Sequence, residues 1–353
     1  TVPDRVSGTV RGMGADTSDA EAFDVSNANF RIRTTVILTS PIGAEELRVG
    51  YPHNVTWTTI GTIPDVKIEY SRFNFLIDIN TIEASTPNDG TYAWTVPDTI
   101  SNTVRVRVSD PDDAGAFAAS ANDFRIITAF TVTAPAGGEM WDVDSTHDIT
   151  WTCTSAPANV PQVRIEYSTD GGATYPYILA ATDNDGVFSW QNIEDRITAN
   201  LKVRISDLAD STAFGVSANP AKIRAKFTIT SPNGSEIWTV ADEHDITWTT
   251  IGTVPNVRLD YSTNGFTTSS PIIASTPNDG VYEWTLPNAI STNARVRVMS
   301  ATDTDAYDIS DNPFKIRGAF RVTAPNGAEL WLINQTSAIT WVTTGTIPNV
   351  RSL

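Results

Sequence analysis

The stretch "PNGSEIWTVADEHDITWTT", residues 232–250, decides the reading of this chain because three other stretches repeat it. They are "PIGAEELRV…HNVTWTT" at 41–59, "PAGGEMWDV…HDITWTC" at 135–153 and "PNGAELWLI…SAITWVT" at 325–343. The leading prolines, Pro41, Pro135, Pro232 and Pro325, stand 94, 97 and 93 residues apart. Solenoid units run to roughly 20–50 residues, so this period is that of one small domain. The chain reads as a string of similar beads. Whole repeats are expected at 34–127, 128–224 and 225–317, with the last third of a repeat at 1–33 and the first third at 318–353. Most features therefore occur three or four times, and no unique catalytic apparatus stands out.

One bead shows the pattern. In the copy at 128–224, "AFTVTAP" alternates and stops at Pro135, and "AGG" follows as a turn. "HDITWTC" sets Ile149 and Trp151 against Asp148, Thr150 and Thr152, and "QVRIEYS" sets Val163, Ile165 and Tyr167 against Arg164 and Glu166. "TDGG" and "DNDG" are turn formers that tolerate positive φ. "YPYILAA", "GVFSWQN", "LKVRISD" and "AKIRA" complete seven short strands. No stretch holds a 3.6-residue period, so the expectation is an all-β sandwich.

Charge and aromatic residues recur in register. Glu69, Glu166 and Asp260 share one position, and Arg105 and Arg107, Lys202 and Arg204, and Arg295 and Arg297 share a later strand. In a seven-strand sandwich these strands are neighbours, so opposite charges face each other on a solvated surface, worth about 0.2–1 kcal/mol per pair. The ten tryptophans fall into three columns. Trp57, Trp151, Trp248 and Trp341 form the first and Trp94, Trp190 and Trp284 the second, both mid-strand and assigned to the core. Trp141, Trp238 and Trp331, with Leu47 in the first copy, follow a turn; they are placed over the sandwich end, against the preceding bead, or as a sugar-binding platform.

The combined motif "PNGxExW", "xITWT", "VxIEYSTDG", "TPNDGxYxWTVP" and "xVRVSD" resembles the immunoglobulin-like repeats of large bacterial surface proteins. It is also similar to the N-terminal domain of Ser/Thr-rich, GPI-anchored fungal cell-wall proteins. The resemblance covers nearly the whole chain. It implies tandem immunoglobulin- or fibronectin-III-like sandwiches in an extracellular setting, and no activity. Gly12 and Gly14 depart from it, standing where the next copy has Val106 and Val108, and glycine weakens a central strand.

At the junctions "FRIRTTVILTSP", "FRIITAFTVTAP", "AKIRAKFTITSP" and "FKIRGAFRVTAP", last strand runs into first strand without flexible padding. A stiff rod advancing roughly 35–45 Å per bead is expected, from strands near 20 Å plus end loops.

Composition narrows the function. A net charge of −17 argues against binding to nucleic acid and equally disfavours docking on anionic lipid. No apolar run reaches the 18 or so residues of a membrane helix. The start at Thr1, without a charged-then-apolar leader, reads as a mature product or an excerpt. Cys153, the single cysteine, reads as a small buried hydrophobe. His53, His147 and His244 share one repeat position and read as turn-flanking surface residues.

The acidic inter-strand loops are the one candidate site. Asp110, Asp112 and Asp113, then Asp207 and Asp210, then Asp303, Asp305 and Asp308 fill equivalent loops, with Asp16, Asp19 and Asp24 in the N-terminal piece. Calcium wants six to eight oxygens, and clustered aspartates supply some of them. Their spacing varies and follows no EF-hand order. Sequons at Asn54, Asn233 and Asn334 add candidate glycosylation positions. The expected function is a non-enzymatic structural or adhesive segment of a secreted or cell-surface protein, requiring no cofactor unless calcium fills the loops. Self-association, neighbouring subunits of a filament and cell-wall polysaccharide are the expected partners. The alternative is a spacer or carbohydrate-binding segment of a large secreted enzyme.

Overall fold

A computed structural model describes residues 7–351 apart from Ala20. Residues 1–6, assigned above to the N-terminal partial repeat, lie outside the described residues. In the first whole module the strands are β1 (Thr35–Ser40), β2 (Glu46–Arg48), β3 (Pro52–Ile60), β4 (Asp65–Ser71), β5 (Ile79–Pro87), β6 (Thr91–Thr95), β7 (Ser101–Ser109), β8 (Phe117–Ala119) and β9 (Phe124–Ile127). One sheet has the order β1-β3-β6 and the other β2-β9-β7-β4-β5, with β8 also paired to β7. Neighbours are antiparallel except β2 and β9, which run parallel. The next two modules repeat this arrangement. These are immunoglobulin- and fibronectin-III-like sandwiches, and no helix occurs among the described residues.

The seven expected strands become nine segments because the first and last are each interrupted. The first strand changes sheet at its proline, whose preceding peptide bond is cis in all four copies. The glutamate of "PNGxE" holds the crossing. Glu45 accepts the Ile42 and Gly43 N–H groups at 2.7 and 2.6 Å, and Glu139 accepts those of Ala136 and Gly137, each at 2.7 Å. The glycine is required by contact as well as by conformation. At Gly137, with φ +128°, an added Cβ would lie 2.2 Å from Asn219 Cβ, against the returning last strand.

Alternation then builds three separate cores, running from Val36 to Ile126, from Phe130 to Ile223 and from Ala225 to Ile316. Inward residues of both sheets meet, such as Val55 and Trp57 of β3 with Val104, Val106 and Val108 of β7. The end pieces carry only part of this. Ser7–Val10 pairs with Phe30–Ile32 and Met13–Ala15 with Phe23–Val25, so the strand that is continuous as β7 is divided beside Gly12. At the other end Ala319–Ala324 pairs with Thr340–Thr344, leaving Phe320, Trp331 and Trp341 exposed.

The solvent-accessible surface is 19590 Å². One compact globule of this mass would expose roughly 14,000 Å², and four separate globules of a quarter the mass roughly 20,000 Å². The chain has the surface of separate beads, including the open faces of its end pieces.

Candidate functional site

The acidic loops fold on their own carboxylates and then reach outward. Asp110 accepts the Asp112 N–H at 2.9 Å, Asp113 that of Gly115 at 3.0 Å and Asp207 that of Ala209 at 2.9 Å. Asp210 accepts from the Thr212 N–H at 3.1 Å, and Asp303 from the Asp305 N–H at 3.1 Å. The second oxygen of Asp113 meets Arg33 Nε at 2.8 Å, and that of Asp210 meets Arg125 Nη2. Lys222 Nζ bridges Asp303 at 2.9 Å and Asp305 at 2.5 Å. Each cation lies at the end of the preceding repeat.

The remaining acidic candidates divide. Asp16 and Asp19 accept N–H groups of their own loop, from Ser18 and Glu21. Asp24 and Asp308 lie on strands, and Asp308 accepts the Ile229 N–H at 2.7 Å. Among the described residues, no group of three or more His, Cys, Asp or Glu side chains gathers in a metal-holding cluster.

A second contact flanks the junctions at 127/128, 224/225 and 317/318 on a different loop. Asp98, Asp195 and Asn288 occupy one position between β6 and β7 or their equivalents. Asp98 accepts the Ala156 N–H at 2.8 Å, Asp195 accepts the Thr253 hydroxyl at 2.5 Å, and Asn288 exchanges hydrogen bonds with Thr346 at 2.6 and 2.8 Å. Between the flanks, Thr34, Thr128 and Ala225 are buried, and Ile100 packs against both the first and second cores. Gly252, with φ +97°, places its turn against the preceding module; its Cβ position is 3.2 Å from Val143 Cγ2.

The cross-strand charges pair as expected, Arg107 with Glu69, Arg204 with Glu166 and Arg297 with Asp260. Their surroundings differ from the solvated face expected. The carboxylates are buried, Asp260 completely. Each receives its arginine at 2.6–2.7 Å and a second cation, Lys67, Arg164 or Arg258. Two aromatic rings close over each arginine: Phe75 and Phe117, Tyr175 and Phe214, Phe266 and Tyr307. Phe75 and Phe266 take positive φ to reach it. Burial alone would raise the Glu69 carboxyl; the hydrogen bonds and charges of Lys67 and Arg107 outweigh it and hold the group below its ordinary value.

The third tryptophan column is also core in the whole modules. Trp141 and Trp238 are buried on the short strand equivalent to β2, stacked flat on His147 and His244 at 4.9 and 4.5 Å. They offer no sugar platform, and these histidines are part-buried partners of a ring rather than turn-flanking surface groups. Cys153 is half-buried, 3.0 Å from the Thr128 hydroxyl at a junction. One unrepeated surface stands out. In the loop after β4, Phe73, Leu76 and Ile77 are exposed, Leu76 at 83%.

No family model and no curated protein matches this chain. Among solved structures it is similar to the fibronectin(III)-like modules of Clostridium thermocellum CbhA, at 17% identity over 53% of this chain and 94% of that one, with a TM-score of 0.19. It is also similar to the N-terminal four Ig domains of Dscam1, at 12% identity over 84% and 77% with a TM-score of 0.25. An I-band fragment of titin matches at 7% identity over 80% and 98%, with a TM-score of 0.27. The fold assignment rests on the strand pairing described above.

Proposed function

We propose that the chain is a non-enzymatic structural and adhesive segment of a secreted or cell-surface repeat protein, built to give reach and a repeated contact surface in an extracellular filament or stalk. The observation that supports this reading is the junction. Consecutive sandwiches are joined without spacer residues, and the junctions at 127/128 and 224/225 are bridged on two separate loops. Such joints resist bending, and bending resistance is what a spacing element needs. The high negative charge keeps an extended protein soluble. The exposed apolar loop at 73–77 is of the kind that marks contact surfaces, and neighbouring subunits or cell-wall polysaccharide are the partners proposed.

Small-angle scattering and negative-stain microscopy of the chain test the array. A rod is expected, lengthening by roughly 35–45 Å per whole module. A compact particle would end this reading. Sedimentation over a range of concentrations tests assembly. A chain that stays monomeric and is retained on a polysaccharide column would replace the filament with a carbohydrate-binding spacer.

A further inference from the structure

We propose that the acidic loop of each module is an ionic lock on the module before it, in which lysine and arginine supply the charge that fixes the angle between neighbours, so that stiffness needs no bound metal ion. The inference deepens the array reading and rests on it for its biological use. Its physical basis is separate.

The locking carboxylate holds one place in the loop in all three whole modules: Asp113, Asp210 and Asp303. The cation does not hold one place. Arg125 and Lys222 occupy equivalent positions in the last strand, whereas Arg33 stands two residues further on, aligned with Ile127. A pairing that persists while its donor shifts is not a passive copy of the repeat. Geometry says what it adds. The covalent linker and the contact made by Asp98 or Asp195 leave a rotation about the line joining them, and a third contact on another loop removes it.

These pairs are also set apart from ordinary surface ion pairs, which contribute little. The Asp210 and Asp303 pairs are about three-quarters shielded from solvent. Arg125 is held in place by Glu46 and Asn102 of its own module, and Lys222 grips two carboxylates. The hydrogen bond from Lys222 holds the Asp305 carboxyl below its ordinary value and raises the lysine. Turn N–H groups and a protein cation together already bring these carboxylates the positive charge that calcium would; at Asp113 and Asp210 the two take different oxygens, and at Asp303 they share Oδ1.

The test uses the full chain carrying Asp210→Asn, Asp303→Asn and Asp305→Asn together. Scattering is expected to show a shorter, broader distribution of end-to-end lengths. Inter-module residual dipolar couplings should fall several-fold while the module melting temperatures stay in place. Exchanging the charges at one junction, with Lys222→Glu, Asp303→Lys and Asp305→Lys, should recover the couplings there. In the unaltered chain, chelator and millimolar calcium should give superimposable scattering curves. Unchanged couplings in the triple variant would overturn the lock, as would melting of the modules themselves or stiffness lost on chelation. A wild-type chain that is already flexible would instead defeat the array reading.

Discussion

Trp151 is fixed in its core by a residue that reads, in sequence, as a turn former. Its indole Nε1–H donates to Asn184 Oδ1 at 2.8 Å, and the Asn184 amide donates to the Val160 carbonyl at 3.0 Å, tying the turn to the core and to the loop after the tryptophan strand. Asn88 and Asn278 do the same for Trp57 and Trp248. Asn184→Ala strands a buried donor and acceptor, so the middle module should lose about 1–3 kcal/mol in urea titrations. The buried carboxylates carry more. Arg297→Ala leaves Asp260 with Arg258 alone in a dry site, and a loss of about 3 kcal/mol is expected from calorimetry. An unchanged melting temperature would show that the carboxylate is solvated. Glu69, held below its ordinary value, contributes stability that is present above its unfolded pKa and lost as pH falls through the folded one. The first module should therefore keep its stability from neutrality to about pH 5 and lose it below about pH 4, and Glu69→Gln should flatten that fall.

At the scale of elements, the change of sheet between β1 and β2 is the feature most dependent on single residues. Gly137 and Gly138 are adjacent and both have positive φ, yet only Gly137 faces the last strand of its module, and nothing lies near Gly138. Gly138→Ala should cost only the backbone term, within about 1–3 kcal/mol, and Gly137→Ala distinctly more. Equal losses on thermal melting would mean that the crossing is not sterically tight. The elements themselves were legible unevenly. β3, β4 and β7 alternate over seven to nine residues, long enough for periodicity to declare them. The equivalents of β2 and β8, "MWD" and "FGV", have three residues each, too few to show a period. Alternation assigns no face to a residue on so short a strand, which is why the third tryptophan column is core against the expectation.

For the whole molecule, three distinct cores, the first two touching through Ile100, predict modular unfolding. Ile205→Ala removes a fully buried side chain from the middle core and should cost that module about 2–5 kcal/mol. Calorimetry should then show one transition moving down while the first and third modules shift only through their junctions. A single transition moving as a whole would show the cores to be one cooperative unit. Trp341, assigned to the core with its column, is exposed in the C-terminal piece. The period, the all-β class, the facing charges of adjacent strands and the inward tryptophans of the first two columns in the whole modules are written in the sequence. All of these follow from local alternation and from the fixed neighbours of a sandwich. Three-dimensional packing settled the rest: Asp113, Asp210 and Asp303 meet cations of the preceding repeat, aromatic rings close over the arginines, and an asparagine caps the first-column tryptophan of each whole module. Those contacts join residues about ten to eighty-five positions apart. They depend on the angle between modules and on how loops pack, which no periodicity along the chain encodes.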